Sequence, residues 1–352
     1  MDIAFVSLET THHRESVGAQ RFERVARLLA GQGHDVTIFC GQWWDDYRSE
    51  FTVGDVQYRG VTLGTVRSSF LARLPALIGR HNPDIVHVRE DDPRQAVAAL
   101  AGARMARAPL VVEWFGNEAT SGRTLSLVGR TANAVITPSE LAWTAACEQG
   151  ATPDRTHIIP ESIDFELVDS VEPATDVDIV CAQPLDGHDH LSDLLLGLAE
   201  LRDRDWQAVV IGDGPRRSGY ETETKELEID TRVRFVGDVS REERLRLYRG
   251  AHVFVHTAEQ TQFATELLWA LACGCVGVVE YQEASSAHEL IAHSKRGVGV
   301  ANPRDISGAI ADASERERRT RDETYQSYDH SAVVRQYLDR YLALLPDEAS
   351  DG

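Results

Sequence analysis

Ala208-Val209-Val210-Ile211-Gly212-Asp213-Gly214-Pro215 joins a continuous apolar run to a turn built on two glycines. Four apolar residues in succession suit a strand covered on both faces, as in a parallel sheet. The turn opens a polar helix start, where glycines let backbone N–H groups approach an anion and the helix dipole favours one. The pattern continues on both sides. Upstream, Asp178-Ile179-Val180-Cys181-Ala182 reads as a strand and Leu191 to Arg202 as a helix. Downstream come the strand Val233-Arg234-Phe235-Val236-Gly237, a helix from Arg241 to Tyr248, and the strand Val253-Phe254-Val255-His256. A helix through Thr265–Cys273 and the strand Val276-Gly277-Val278-Val279-Glu280 follow. Such alternation predicts a doubly wound α/β domain.

The first half repeats the scheme. Ile3-Ala4-Phe5-Val6-Ser7 is a buried strand, and a polar loop from Glu9 to Ser16 leads to Gly18. Ala19 to Leu29 is helical, with Phe22, Val25, Ala26 and Leu29 on one face. Strands follow at Val36–Cys40, Ile85–Val88, Leu110–Val112, Ala134–Thr137 and His157–Pro160, with helices over Arg94–Arg107 and Ser139–Gln149. Ile163 to Thr175 is acidic, contains Pro173 and lacks periodicity, so it reads as a linker. Two doubly wound domains of similar size place a cleft between the carboxyl ends of two sheets, where such folds bind ligands.

Composition agrees with two domains. The chain has 352 residues, 42% hydrophobic and 26% charged, which excludes a disordered chain. Its five cysteines are odd in number and lack C-x-x-C spacing, so neither a disulfide scaffold nor a zinc site is expected. The amino terminus lacks a basic signal region, and no apolar run reaches a membrane span, so a cytoplasmic protein is expected. The formal net charge of −20 repels phosphate backbones and argues against nucleic acid. Only Lys225 and Lys295 are lysines, and an acidic, arginine-rich chain suits a cytoplasm of very high salt.

The ordered segments resemble the retaining glycosyltransferases of family 4, which have the GT-B fold. The similarity is carried by Gly31-Gln32-Gly33-His34-Asp35-Val36-Thr37, Asn82-Pro83-Asp84-Ile85-Val86-His87-Val88 and Asn133-Ala134-Val135-Ile136-Thr137-Pro138-Ser139-Glu140. Ile158-Ile159-Pro160-Glu161-Ser162-Ile163-Asp164, Val210–Pro215, Val233–Gly237, Ala270-Leu271-Ala272-Cys273-Gly274 and Glu289-Leu290-Ile291 continue it in the same order. The resemblance implies two Rossmann-like domains facing across a cleft: residues 1–163 on the acceptor side, a linker at 164–175, and a nucleotide-sugar domain at 176–325. Residues 326–352 would carry a last helix, near Ala332 to Leu345, packed back on the first domain. The implied activity moves a sugar from a nucleotide-diphosphate sugar to a glycan, glycolipid or lipid-linked saccharide. The donor is a substrate, and neither a cofactor nor a metal is expected. Gly212, Asp213 and Gly214 would border the nucleotide, with Phe235, Val236 and Gly237 toward its base. Phe263, Ala264 and Thr265, at a helix amino terminus, would hold the diphosphate, and Gly18 would face the site from the first domain.

The chain also departs from that family. The E-x7-E pair falls on Thr261 and Trp269, leaving Glu259 and Glu266 as the nearest carboxylates. The Arg and Lys expected after the second domain's first strand are missing from Gln183-Pro184-Leu185-Asp186-Gly187-His188-Asp189, where only His188 or His190 can carry positive charge. Arg14, His12, His13, Arg216 and Arg217 are further candidate cations. Glu113-Trp114-Phe115-Gly116 stands where the family often has a His. Losing cations opposite a leaving diphosphate is costly, so the alternative is a weakened homologue that binds a nucleotide sugar or assists a partner transferase. Glu90-Asp91-Asp92 reads as helix capping rather than a metal motif. The basic, apolar segment 66–80 reads as a helix packed on the first sheet, with peripheral membrane contact as the alternative.

Overall fold

The computed structural model describes residues 1–116 and 123–346, without the side chains of 123–125. The chain divides into two compact units, Met1–Glu161 with the tail from Ser331 onward, and Ser162–His330. The part of the tail beyond residue 346 lies outside the described residues.

The first unit contains, in order, β1 (Asp2–Val6), α1 (Val17–Gly31), β2 (Asp35–Gln42), β3 (Glu50–Val53), β4 (Val56–Leu63), α2 (Arg67–His81) and β5 (Ile85–Arg89). It continues with α3 (Pro93–Ala106), β6 (Leu110–Glu113), α4 (Arg123–Thr131), β7 (Ala134–Thr137), α5 (Glu140–Glu148) and β8 (Thr156–Ile158). The sheet runs β3-β4-β2-β1-β5-β6-β7-β8 and is parallel except for the β3–β4 hairpin. Successive residues of β1 feed opposite cores: Ala4 and Val6 pack with α2 and α3, Ile3 and Phe5 with α1. Ser16 caps α1 through Ala19 N, and Asp92 caps α3 through Arg94 N ahead of Pro93. Asp92 therefore has the capping role read from the sequence. The 66–80 segment is α2, whose Phe70, Leu74 and Ile78 are fully buried.

The second unit contains α6 (Phe165–Ser170), β9 (Ile179–Ala182), α7 (Leu191–Glu200), β10 (Ala208–Ile211), α8 (Arg217–Glu226), β11 (Val233–Gly237) and α9 (Arg241–Gly250). Then come β12 (Val253–His256), β13 (Gln260–Thr261), α10 (Thr265–Ala272), β14 (Val276–Glu280), β15 (Ala284–Ser285), α11 (Ala287–Ile291), β16 (Gly297–Val300) and α12 (Ile306–Ser314). Six strands form a parallel sheet in the order β11-β10-β9-β12-β14-β16, and β13 pairs separately with β15. The direction of strand order reverses between β9 and β12. In an open α/β sheet that switch point, at the carboxyl ends, is where loops part to admit a ligand.

One expectation needs correction. Residues 164–175 are not a linker but a packed part of the second unit. Asp164 caps α6 through Leu167 N, and Phe165, Val168, Val171 and Ala174 share a core with Leu245 and Phe254. The helix α6 is too short for periodicity to show in the sequence. The last helix, α13 (His330–Leu344), places Val333, Val334, Tyr337 and Tyr341 in the core that holds Ile3, Phe5 and Phe22 of the first unit.

Candidate functional site

The loop after β9 is fixed by a buried carboxylate. Asp189 Oδ1 accepts from Leu191 N at 3.0 Å and from Tyr220 Oη at 2.6 Å, and Oδ2 accepts from Gly187 N at 2.9 Å. Its carbonyl accepts from Gln183 Nε2 and Thr257 Oγ1, both 2.6 Å away. Thus Asp189 ties β9, α8 and the loop after β12 together. His190 follows with φ at +50°, a left-handed conformation strained for a residue with a Cβ. Held this way, His188 and His190 flank Asp189 at the carboxyl edge of the sheet.

His188 meets Glu259, from the loop after β12. Glu259 N donates to the His188 carbonyl at 2.9 Å, and His188 Nδ1 lies 3.0 Å from Glu259 Oε2. Hydrogen bonding to Glu259, then its negative charge, raises the His188 pKa above the usual histidine value. These two candidates, 71 residues apart in sequence, are brought together across the switch point. His190 Nε2 lies 3.9 Å from the same Glu259 oxygen, and its Nδ1 lies 3.5 Å from Asp193 Oδ2. The sequence reading missed Asp193 and Glu280. Glu280 ends β14, and an acid closing an apolar strand at the ligand edge of a parallel sheet was the available signal.

Gly212 and Gly214 have a different local task from the one expected. A Cβ at Gly212 would stand 2.0 Å from Gln183 O, and one at Gly214 would stand 2.2 Å from Leu185 O. The glycines let the turn press onto the loop after β9. Their N–H groups are already used: Gly212 N donates to Gly237 O at 3.0 Å, and Gly214 N to Asp213 Oδ1 at 2.8 Å. Neither donor is free for an anion in this conformation. The Asp213 side chain also pairs with Arg217 at 3.4 Å, and Arg217 Nη2 donates to the Phe235 carbonyl at 3.2 Å. Phe235 and Val236 are half-buried and Gly237, at φ +70°, is buried against Arg217. Arg216 lies over the Tyr220 ring, 5.8 Å from its centroid.

At α10, Phe263 and Ala264 are buried, and Ala264 occupies the N-cap position without a side-chain hydrogen bond. Thr265, the first helical residue, is half-buried and donates to Phe263 O at 3.0 Å. The loop before it is anchored by β13–β15 pairing, and Ser286 donates through N to Thr261 O and through Oγ to Gln262 O. Thr261 and Trp269, at the E-x7-E positions, offer a hydroxyl near His256 Nε2 at 3.3 Å and a buried indole. The Arg241 guanidinium lies 5.2 Å from the Trp269 ring centroid.

Glu266, the expected substitute for the helix carboxylate, is engaged by its own neighbours. Both oxygens turn to α9: Arg241 Nη1 donates at 3.0 and 3.1 Å, Arg244 Nη1 at 2.9 Å and Tyr248 Oη at 2.6 Å. With that many donors, Glu266 clasps α9 to α10. Glu259 is the carboxylate that stands at the switch point.

In the first unit, Gly18 is not in a loop but is the second residue of α1, beside Phe115. Arg14 is exposed and lines a cavity of about 350 Å³ with Glu9, Arg67, Arg89, Asp91 and Asp92. It lies beyond β1, where this sheet reverses its strand order toward β5. His13 Nδ1 accepts from Thr10 N at 3.1 Å, and His12 stacks on Trp43 at 3.8 Å. Glu113 is buried among Arg21 Nε at 2.6 Å, His87 Nε2 at 3.0 Å and Tyr337 Oη at 3.0 Å.

Two family models divide the chain between them. The model of glycosyltransferase family 4 matches residues 18–167, and that of glycosyl transferases group 1 matches residues 163–330. No curated protein matches in sequence. Among solved structures, a glycosyltransferase from Rickettsia africae aligns with a TM-score of 0.78 at 15% identity, covering 99% of each chain. The Anabaena protein HepE, solved in complex with UDP-glucose, aligns at 0.72 and 16%, covering 98% of this chain and all of its own. Sucrose-phosphate synthase from Thermosynechococcus elongatus aligns at 0.67 and 15%, covering 99% of this chain and 96% of its own. With both sheets doubly wound and consecutive glycosyltransferase family matches over 18–330, the chain has the GT-B fold, and its residues 163–330 match the group 1 glycosyltransferases.

Proposed function

We propose that the protein transfers a sugar, with retention of anomeric configuration, from a nucleoside-diphosphate sugar bound at the carboxyl edge of the second unit's sheet. The acceptor is a saccharide, free or lipid-linked, taken by the first unit near Arg14. The observation that carries the reading is the pairing of His188 with Glu259 at the switch point. A carboxylate at 3.0 Å favours the imidazolium, which supplies positive charge beside the loop that lacks the Arg and Lys of similar enzymes. Charge facing a departing diphosphate stabilises the transition state directly. The complex of HepE with UDP-glucose supports the donor class. The unit lacks carboxylates at 261 and 269, and this favours a second reading, a homologue that binds the donor without turning it over.

The test incubates the protein in high KCl with a panel of nucleoside-diphosphate sugars and saccharide acceptors and measures nucleoside diphosphate released. Turnover is expected, falling on the alkaline side as His188 loses its proton above the usual histidine value. His188→Gln should lower kcat at least tenfold and remove that alkaline limb. Donor binding with no turnover for any pair supports the second reading, and no donor binding at all removes both.

A further inference from the structure

We propose that His190, Asp193 and Glu280 form a divalent-cation site in the second unit, with Mn²⁺ the ion its donors suit. One ligand atom from each lies within 4.8 Å of the others. Bonds of about 2.1 Å put adjacent ligands of one octahedral ion roughly 3 Å apart and opposite ones roughly 4.2 Å, so side-chain movements of about 1 Å close the set. One imidazole and two carboxylates combine a borderline donor with hard ones, which suits Mn²⁺ better than the thiolate-seeking metals.

The second observation is the state of Glu280. The residue is 4% exposed, and its Oε2 has no hydrogen-bond partner. A buried carboxylate is normally hydrogen-bonded or paired. Among the described residues, neither Lys nor Arg pairs with Glu280 or Asp193; Asp193 has only His190. The group is an anion site short of positive charge. His190 Nδ1 lies 3.5 Å from Asp193 Oδ2 and 3.4 Å from the Gln282 amide nitrogen, a contact a bound ion would replace, while Nε2 lies 3.9 Å from Glu259 Oε2. That leaves a carboxylate behind the imidazole, the usual support of a metal-bound histidine. The buried Asp189 holds the backbone that presents it.

The consequence for chemistry rests on the donor reading proposed above. An ion bound to three protein ligands keeps open positions for diphosphate oxygens and acts as a Lewis acid. It would add the charge missing from 183–189, and it departs from the sequence expectation that no metal takes part.

The experiment titrates the EDTA-treated full chain with Mn²⁺ alone, in KCl, and reads the free ion by electron paramagnetic resonance. One tight site is expected. Glu280→Gln and Asp193→Asn should each weaken it tenfold or more. Both variants keep side-chain shape, and Asp193 is partly exposed; melting by circular dichroism checks that each folds. Equal Mn²⁺ binding by wild type and Glu280→Gln, as for diffuse attraction to an acidic surface, overturns the proposal. So does the absence of any tight site in the wild type. UDP-glucose binding is measured separately. Tight Mn²⁺ with no affinity for any nucleoside-diphosphate sugar keeps the cation site and removes the donor reading. UDP-glucose binding with no Mn²⁺ site does the reverse.

Discussion

Glu266 sits on the same helix as Trp269, so its charge and position made it the natural replacement for a lost carboxylate. Its surroundings point to a structural role, because Arg241, Arg244 and Tyr248 take both oxygens. The Tyr248 phenol is fully buried, and burial first, then Glu266, raise its pKa well above the usual tyrosine value. Glu266→Gln removes the charge from this cluster but retains one acceptor. Partial exposure of the carboxylate limits the expected loss of stability to about 1–2 kcal/mol. Nucleoside diphosphate release per folded molecule should change less than threefold. A hundredfold loss with unchanged melting would restore Glu266 to the chemistry. What was legible here was residue type; what was not was partnership. Arg241 and Arg244 lie on a helix that nothing in the sequence pairs with α10. Likewise His188 and Glu259 were each visible as candidates, whereas Glu280 was hidden as the last letter of a strand.

At the scale of elements, α1, β5, β6 and α13 are joined by one buried charge network. Arg21 reaches Glu113, Tyr337 and the Ile159 carbonyl, while His87 approaches the other side of Glu113. Burial alone would raise the Glu113 carboxyl, yet Arg21 and then His87 hold it at about 2. A carboxyl depressed from 4.5 to about 2 contributes stability that is full above 4.5. The contribution is lost as pH falls from 4.5 toward 2. An acid titration by circular dichroism should therefore show a steeper loss in that window for wild type than for Glu113→Gln. At neutral pH, Glu113→Gln leaves the buried Arg21 with only the longer ion pair to Glu161 at 3.7 Å, and should cost up to about 3–5 kcal/mol. Adding Arg21→Met to it should cost less than the sum of the single changes; strict additivity would mean the two do not interact. The strands themselves were readable because parallel, doubly covered strands are written as unbroken apolar runs. The hairpin β3–β4 and α6 were not, since an edge hairpin is half exposed and α6 spans six residues. The acidic character of 164–175 belongs to its outer face, and of the four apolar residues that pack it inward, one every third position, only Phe165 and Val168 lie in the helix.

For the whole molecule, the alternation of strand and helix was enough to indicate two doubly wound units, but it carries no information on which loops touch at each switch point. The charge is read without any structure. An excess of 20 negative charges repels itself in the folded state, and the repulsion reaches about 10 Å at 0.1 M salt but only about 3 Å at 1 M. Exposed ion pairs such as Arg234–Asp176 and Arg319–Glu317 weaken under the same screening. Each is worth at most about 1 kcal/mol, and many contribute nothing measurable. The long-range repulsion therefore dominates, and Tm should rise as KCl increases from low to multimolar concentration. Screening also fixes the shape of the curve. Most of the rise should occur below about 1 M, where the screening length shrinks fastest. A rise that continues linearly through several molar would point instead to salt exclusion from the surface. A Tm that stays flat across the whole range removes the high-salt reading of the composition.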